Sequence, residues 1–362
     1  DLDVRSLFSK ISGKKLQALK EGNLDSDQIK ELTDKLDYHM FVVDEQTRCI
    51  PAVQNQLFNL YDGFIEIDGE VYKIGDGYCM GVSSGNIGNG KYVGTSAQDR
   101  ALLDRMHVLL DMDNPNFSPN PLDFLEIASS STDPRVKDAT DLEDRTQQII
   151  EIYNSLNKQE VPWEHLIGAL YLRFGLDYLE STQHHSKRHA KNIWPNIPNL
   201  NDTEKGGDAT LIYPISTRSA LTYLELAKGL RAVAQAKDTP SILLGDVKEE
   251  IDETQLFLDT FRIAGAYSGI LNQDRINRDP NYEGNLYTAL GAINQGIKTE
   301  FDAKMEKLFD AFVLAQQGKI DGTLLREFEG KWQFMQPIIK HTAKSNKPVE
   351  ETLQSIIESE QK

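Results

Sequence analysis

The chain has 362 residues, 39% of them hydrophobic, with 56 acidic against 39 basic side chains and a formal net charge of −17. That length accommodates two or three domains with cores of their own, and the acidic balance repels nucleic-acid backbones and anionic membranes outside any local basic patch. No window approaches the roughly eighteen consecutive apolar residues of a membrane span, and the first ten residues lack the layout of a signal peptide, so the cytoplasm is the expected compartment.

In the first 37 residues, Leu2, Val4, Leu7, Phe8 and Ile11 suggest a strand or strand-helix edge, and 26–36 reads as a short polar helix. Met40, Phe41, Val42 and Val43 then form an uninterrupted apolar run, expected as a parallel-sheet strand covered on both faces. The run ends abruptly in Asp44 and Glu45. In an open α/β sheet, ligands bind beyond the carboxyl ends of the strands, which favours chemistry at these acids, although the pair alone is equally compatible with a solvated turn. Pro51 opens a helix in which Val53, Leu57 and Leu60 recur at helical spacing. Asp68-Gly69, between Phe64, Ile65, Ile67 and Val71, Tyr72, Ile74, predicts a β-hairpin.

Residues 78–84 read as another buried strand that opens into a glycine-rich loop. Ser96 caps a short helix over 97–106, and 107–110 is expected as a further strand ending in Asp111 and Asp113. After Asn114-Pro115 the strand signals fade. Helical patterns follow at 142–156, 163–179, 217–236 and 247–267, with a Pro-, Asn- and Gly-rich interruption at 194–207, and again at 286–313 and 324–339. No repeat of solenoid period is present. Cys49 and Cys79 are too few for a disulfide framework and are expected as buried free thiols.

Two tempting motifs are set aside. Gly85-Asn86-Ile87-Gly88-Asn89-Gly90-Lys91 satisfies GxxxxGK, but a phosphate loop needs Ser or Thr after the lysine and a helix behind it, and Tyr92-Val93-Gly94 follows instead. His184, His185, Ser186, Lys187, Arg188 and His189 form the one basic island. His185 and His189 could share a helix face as metal ligands, yet no cysteine or third ligand stands nearby, so a solvated polar surface is expected, with a docking patch for an acidic partner as the intermediate reading.

The order of parts is more specific than any single motif: strand, acid pair, helix, hairpin, strand with a polar end, helix with paired arginines, strand. This order resembles the second half of an AAA+ ATPase core, most closely its MoxR-like, dynein-related branch. There the Walker B strand ends in Asp-Glu and a segment similar to DE-x-N-R-A follows. Here the matching residues are Asp44, Glu45, Gln46, Thr47, Arg48 and Cys49, with Thr47 in place of the usual Asn. The resemblance implies that Asp44 holds Mg²⁺, commonly through water, and that Glu45 polarises the attacking water, both roles that suit carboxylates. It also implies that Asn86 is the polar sensor orienting that water, and that Arg105, closing DRALLDR before Met106, is an arginine finger reaching the nucleotide of an adjacent subunit. Arg218, in the segment PISTRSA ahead of a long amphipathic helix, would be the second sensor arginine, contacting the γ-phosphate of ATP.

The fold so implied is α/β: a partial P-loop NTPase core over 1–118, with a parallel sheet, helices and an inserted hairpin, then an α-helical lid with an insertion over 119–267 and a helical extension over 268–362. The first strand, the GxxxxGK[ST] loop and its helix precede the matched segment in that family, so the sequence is expected to be an N-terminally incomplete piece of a longer protein. The expected activity is that of a ring-forming, ATP-hydrolysing remodeller of a protein client, with ATP and Mg²⁺ as cofactors, inactive as this piece alone. The alternative is a catalytically inactive AAA+-derived scaffold. A DNA-directed motor is disfavoured by the acidic balance.

Overall fold

The computed structural model describes residues 4–11, 30–86, 100–110, 112, 120–129, 143–179, 185–190, 208–235, 251–282 and 284–345. The chain is mixed α/β and divides into two compact units, one of residues 1–106 with 138–157, the other of 107–137 with 158–362. Among the described residues, no helix is long and apolar enough to cross a membrane.

Among the described residues, the first unit holds six short strands: β1 (Ser9–Ile11), β2 (Lys30–Leu32), β3 (Met40–Val43), β4 (Phe64–Ile67), β5 (Glu70–Lys73) and β6 (Met80–Ser83). They pair two by two. β3 and β6 run parallel, with Met40 opposite Met80 and Val43 opposite Ser83. The connection between them carries the helix Pro51–Tyr61 and the hairpin β4–β5. The hairpin turn is Asp68-Gly69, both at positive φ (52° and 85°), the conformation whose twist matches its flanking strands. Pro51 stands in the first helical turn, where its missing N–H is no loss, and Leu57 and Leu60 are buried. They meet Val4, Phe8, Ile65, Ile67 and Ile74 in one apolar cluster, with Phe41, Val43 and Val53 packed against it.

Three expectations for this unit are corrected. β3 is covered on one face only: Met40 and Val42 are 48% and 64% exposed, and Met80 and Val82 beside them 45% and 41%. An uninterrupted apolar run therefore does not by itself mean burial on both sides. The segment expected as a polar helix over 26–36 contributes strand β2, which pairs antiparallel with β1, and then a 3₁₀ turn, Asp34–Asp37; residues 26–29 lie outside the described residues. Pairing with a distant strand overrode a weak local preference. Cys49 and Cys79 are free thiols, as expected, but half-buried.

The run His107–Leu110 is not a strand. Val108 and Leu110 are 41% and 54% exposed, and the Leu109 carbonyl accepts from Tyr287 Oη at 3.2 Å instead of entering a ladder. It belongs to the second unit.

That unit is helical. The helix Glu253–Gly265 packs against Trp163–Leu170, Thr217–Gln235 and the 31-residue helix Leu286–Gln316, which also packs against Met335–Ser345. Helix starts are capped by side chains: Asp252 accepts from the Gln255 amide, Asn285 from Thr288, and Asp321 from Thr323 and Leu324. Gly168 lets two helices close, since a Cβ there would lie 2.5 Å from Phe257 Cδ1. The pattern expected as one helix over 163–179 changes character after Leu170 into a π-turn, Tyr171–Gly175. This turn carries Tyr171 into a buried cluster with Phe301 and Trp332, where its hydroxyl donates to Glu300. A short strand, β7 (Tyr178–Leu179), follows and pairs with β8 (His185–Ser186).

His165, fully buried on the helix Trp163–Leu170, has its Nε2 3.0 Å from Glu253 Oε2. The approach is off the line a hydrogen bond requires. Arg231 holds Glu253 from the other side, Nε to Oε1 at 2.7 Å. Burial pushes the His165 pKa below its usual value, and this outweighs the opposing pull of Glu253.

Candidate functional site

The candidate site lies where the parallel strands end. Because β3 and β6 are in register, the residues that follow them emerge together, Asp44 and Glu45 from one, Ser84, Gly85 and Asn86 from the other. Ser84 N donates to the Val43 carbonyl at 3.0 Å and Gln46 N to the Ser84 carbonyl at 2.9 Å, which continues the ladder past the strand ends. Glu45 sits in the left-handed region, φ 51° and ψ 42°, so the chain turns sharply at the second acid.

Side chains tie this turn to β6. Ser84 Oγ donates to Asp44 Oδ1 at 2.5 Å and accepts from the Glu45 amide at 3.0 Å. Thr47, buried with Gln46 beneath the turn, accepts the Asn86 amide on its Oγ1 at 3.2 Å. This is the position where the resembled family carries Asn, and the threonine hydroxyl supplies a turn bond of its own. Gln46 in turn accepts from Tyr61 Oη at 2.5 Å, and Gln54 Nε2 donates to the Cys49 carbonyl at 2.9 Å, so the helix Pro51–Tyr61 anchors the turn from below. Gly85 makes the closure possible: a Cβ would come 2.7 Å from Thr47 Cγ2.

Asp44, Glu45 and Asn86 are all exposed. Glu45 Oε2 lies 3.2 Å from Arg48 Nε, with both side chains about half exposed; such a pair constrains Glu45 little. Among the described residues no group of three or more His, Cys, Asp or Glu could form a metal cage. A single open carboxylate suits Mg²⁺, which keeps most of its waters and takes one or two protein carboxylates. The exposed Asp44 carboxylate is thus of a kind that fits Mg²⁺.

Arg105 lies in the same unit but is engaged elsewhere. It follows the short helix Arg100–Leu103, anchored by fully buried Leu102. Its Nε is 3.1 Å from Asp62 Oδ2, an Nη donates to the Ala101 carbonyl, and the guanidinium lies 4.6 Å over the Phe58 ring. Arg218 belongs to the helical unit, exposed in the first turn of Thr217–Gln235. Residues 87–99, which hold most of the glycine-rich loop and Ser96, lie outside the described residues, as do Asp111, Asp113 and 194–207.

The basic island is solvated only in part: His189 is exposed and Arg188 partly so, but Lys187 is not. Lys187 is 1% exposed and donates from Nζ to the Ile212 carbonyl at 3.1 Å. Arg188 pairs with Asp177 at 2.8 Å and donates to the Ile215 carbonyl, and Ser186 Oγ also donates to Asp177. These residues staple the β7–β8 turn to the segment leading into Thr217–Gln235. The partner acid, Asp177, stands eleven residues from Arg188 and carries no motif of its own, so the sequence offered no signal for the pairing. His184 lies outside the described residues. Ser84 was likewise missed, because a lone hydroxyl has no sequence signature until the opposing strand is in place; Thr47 was singled out only as a replacement for Asn, and its bond to the Asn86 amide becomes visible in the structure.

No protein-family model matches the chain, and no curated protein matches it. Among solved structures, it is similar to the crystal structure of a "putative ATPase" from Cytophaga hutchinsonii ATCC 33406, with 15% sequence identity and a TM-score of 0.39. The match covers 64% of this chain and 59% of that one, so the chain spans less than two thirds of that neighbour's length. A likeness this distant carries no argument about function.

Proposed function

We propose that this chain carries the water-activating half of an ATP-hydrolysing site of the AAA+ type, in its MoxR-like, dynein-related form, within a ring-forming protein that remodels a protein client. The observation that supports this reading is the in-register parallel pairing of β3 with β6, whose carboxyl ends bear Asp44, Glu45 and Asn86 at one edge. When bound, Mg²⁺ supplies charge neutralisation on the transferring phosphoryl group. Asp44 holds it, commonly through water. Glu45 accepts a proton from the attacking water, and Asn86 orients that water from the neighbouring strand. Arg105 stabilises charge at the nucleotide of an adjacent subunit, and Arg218 contacts the γ-phosphate.

Glu45→Gln in the full-length protein tests the reading, because it keeps the shape and removes the proton acceptor. Turnover falls by about 10²- to 10⁴-fold while ATP binding persists; unchanged turnover sinks the assignment. One observation favours a second reading, an AAA+-derived scaffold without turnover. Arg105 is held by Asp62, Ala101 and Phe58 of its own unit, where a finger has to extend to a neighbour. In a scaffold, calorimetry finds no ATP binding to the full-length protein.

A further inference from the structure

We infer that Ser84 is a positioning residue for the proposed Mg²⁺ site, the group that fixes which oxygen of Asp44 faces the cation. The inference rests on the ATP-site reading above. A serine hydroxyl has one proton to give. Here that proton goes to Asp44 Oδ1, which leaves the oxygen's lone pairs to accept the Glu45 amide at 3.0 Å. One side chain therefore sets the rotation of the first acid and pins the left-handed turn at the second. Asp44 is left with a single oxygen, Oδ2, without a hydrogen-bond partner among the described residues. Ser84 itself cannot shift independently, because its amide and carbonyl are both taken by the opposing chain, at Val43 and Gln46.

A purely structural role does not explain the arrangement. Asp44 and Ser84 are both exposed, and a solvent-facing hydroxyl-carboxylate bond adds little to stability, since water replaces it on either side. The same bond matters much more for a cation, because a carboxylate whose free oxygen is already aimed loses no orientational freedom on ligation. Groups that orient a metal-binding carboxylate typically change metal affinity by about 10- to 100-fold when removed. Thr47 ties the other end of the segment, through the Asn86 amide, so both strand ends are held as one frame.

The test uses Mn²⁺ as the probe, with free ion followed by electron paramagnetic resonance in the full-length protein with and without ADP, alongside the Mg²⁺ dependence of ATP turnover and the thermal midpoint. Ser84→Ala weakens Mn²⁺ binding about 10-fold or more and raises the half-saturating Mg²⁺ in parallel, at a nearly unchanged midpoint. Ser84→Thr, which keeps the hydroxyl, restores both. Wild-type Mn²⁺ affinity in Ser84→Ala, or a Ser84→Thr variant as weak as Ser84→Ala, overturns the inference. Asp44→Asn separates this from failure of the ATP-site reading. If that variant also binds Mn²⁺ like the wild type, the cation is not at Asp44, and the reading and the inference fall together.

Discussion

Gly85→Ala probes the frame beneath the acid pair most sharply. Its φ lies outside the left-handed region, so alanine can take the backbone conformation, and a stiffer unfolded chain would by itself stabilise the fold by about 0.4–1 kcal/mol. Against this, the new Cβ would sit 2.7 Å from Thr47 Cγ2 and 3.1 Å from Thr47 Oγ1. Thr47 is β-branched and buried, so it cannot swing away. Overpacking costs about 1–3 kcal/mol, and displacing Oγ1 loses the bond from the Asn86 amide, about 1 kcal/mol more. Overpacking wins, for a net loss of about 1–3 kcal/mol. The three tryptophans, Trp163, Trp194 and Trp332, all fall within residues 158–362 of the other unit, so tryptophan fluorescence does not report on this one. Native-state hydrogen exchange of the Gln46 and Asn86 amides does, and it should quicken by about 5- to 150-fold. Thr47→Ser removes Cγ2 and keeps Oγ1, so Gly85→Ala on that background should cost at least about 1 kcal/mol less. Equal costs on both backgrounds, or a stabilised single variant, would refute the packing argument.

Two further outcomes follow from the helical unit. Gly168→Ala drives a Cβ to 2.5 Å from the buried Phe257 ring, whereas Gly229→Ala, inside Thr217–Gln235, meets nothing within 4 Å. Urea midpoints should therefore move in opposite directions, down by about 1–2 kcal/mol for the first and up by as much as about 1 kcal/mol for the second; a shift of the same sign in both would contradict the helix packing described. His165 gives a pH dependence. Its folded pKa is depressed by burial, so the unfolded chain binds the proton more readily, and the stability contribution is complete above the unfolded value of about 6.5 and lost as pH falls below it. Between pH 7.5 and 5.5 the wild type should lose more stability than His165→Gln, while a wild type that gains stability relative to the variant would show that Glu253 governs the site.

What was legible in the sequence was mostly local. Asp68-Gly69 announced its hairpin because only a few residue pairs take positive φ twice in succession. Pro51 with Val53, Leu57 and Leu60 marked a helix, and the long patterns at 217–236 and 286–313 correspond to Thr217–Gln235 and Leu286–Gln316. Where tertiary partners decide, the residues were misleading. Lys30–Leu32 became a strand because β1 was available to pair with it. His107–Leu110 looked like a strand and lost its carbonyl to Tyr287. Lys187 looked solvated, yet its ammonium is buried against the Ile212 carbonyl, a partner twenty-five residues away. At the candidate site the acids were visible as an abrupt end to an apolar run, but their link to Ser84 depends on a parallel pairing across forty residues, which no local pattern encodes.

The nucleotide retained by Glu45→Gln tests the central claim most directly. The variant full-length protein is loaded with ATP and Mg²⁺, freed of excess nucleotide, incubated, and its bound nucleotide separated by chromatography beside the wild type. The account predicts ATP on the variant and ADP on the wild type; ADP on both would contradict it.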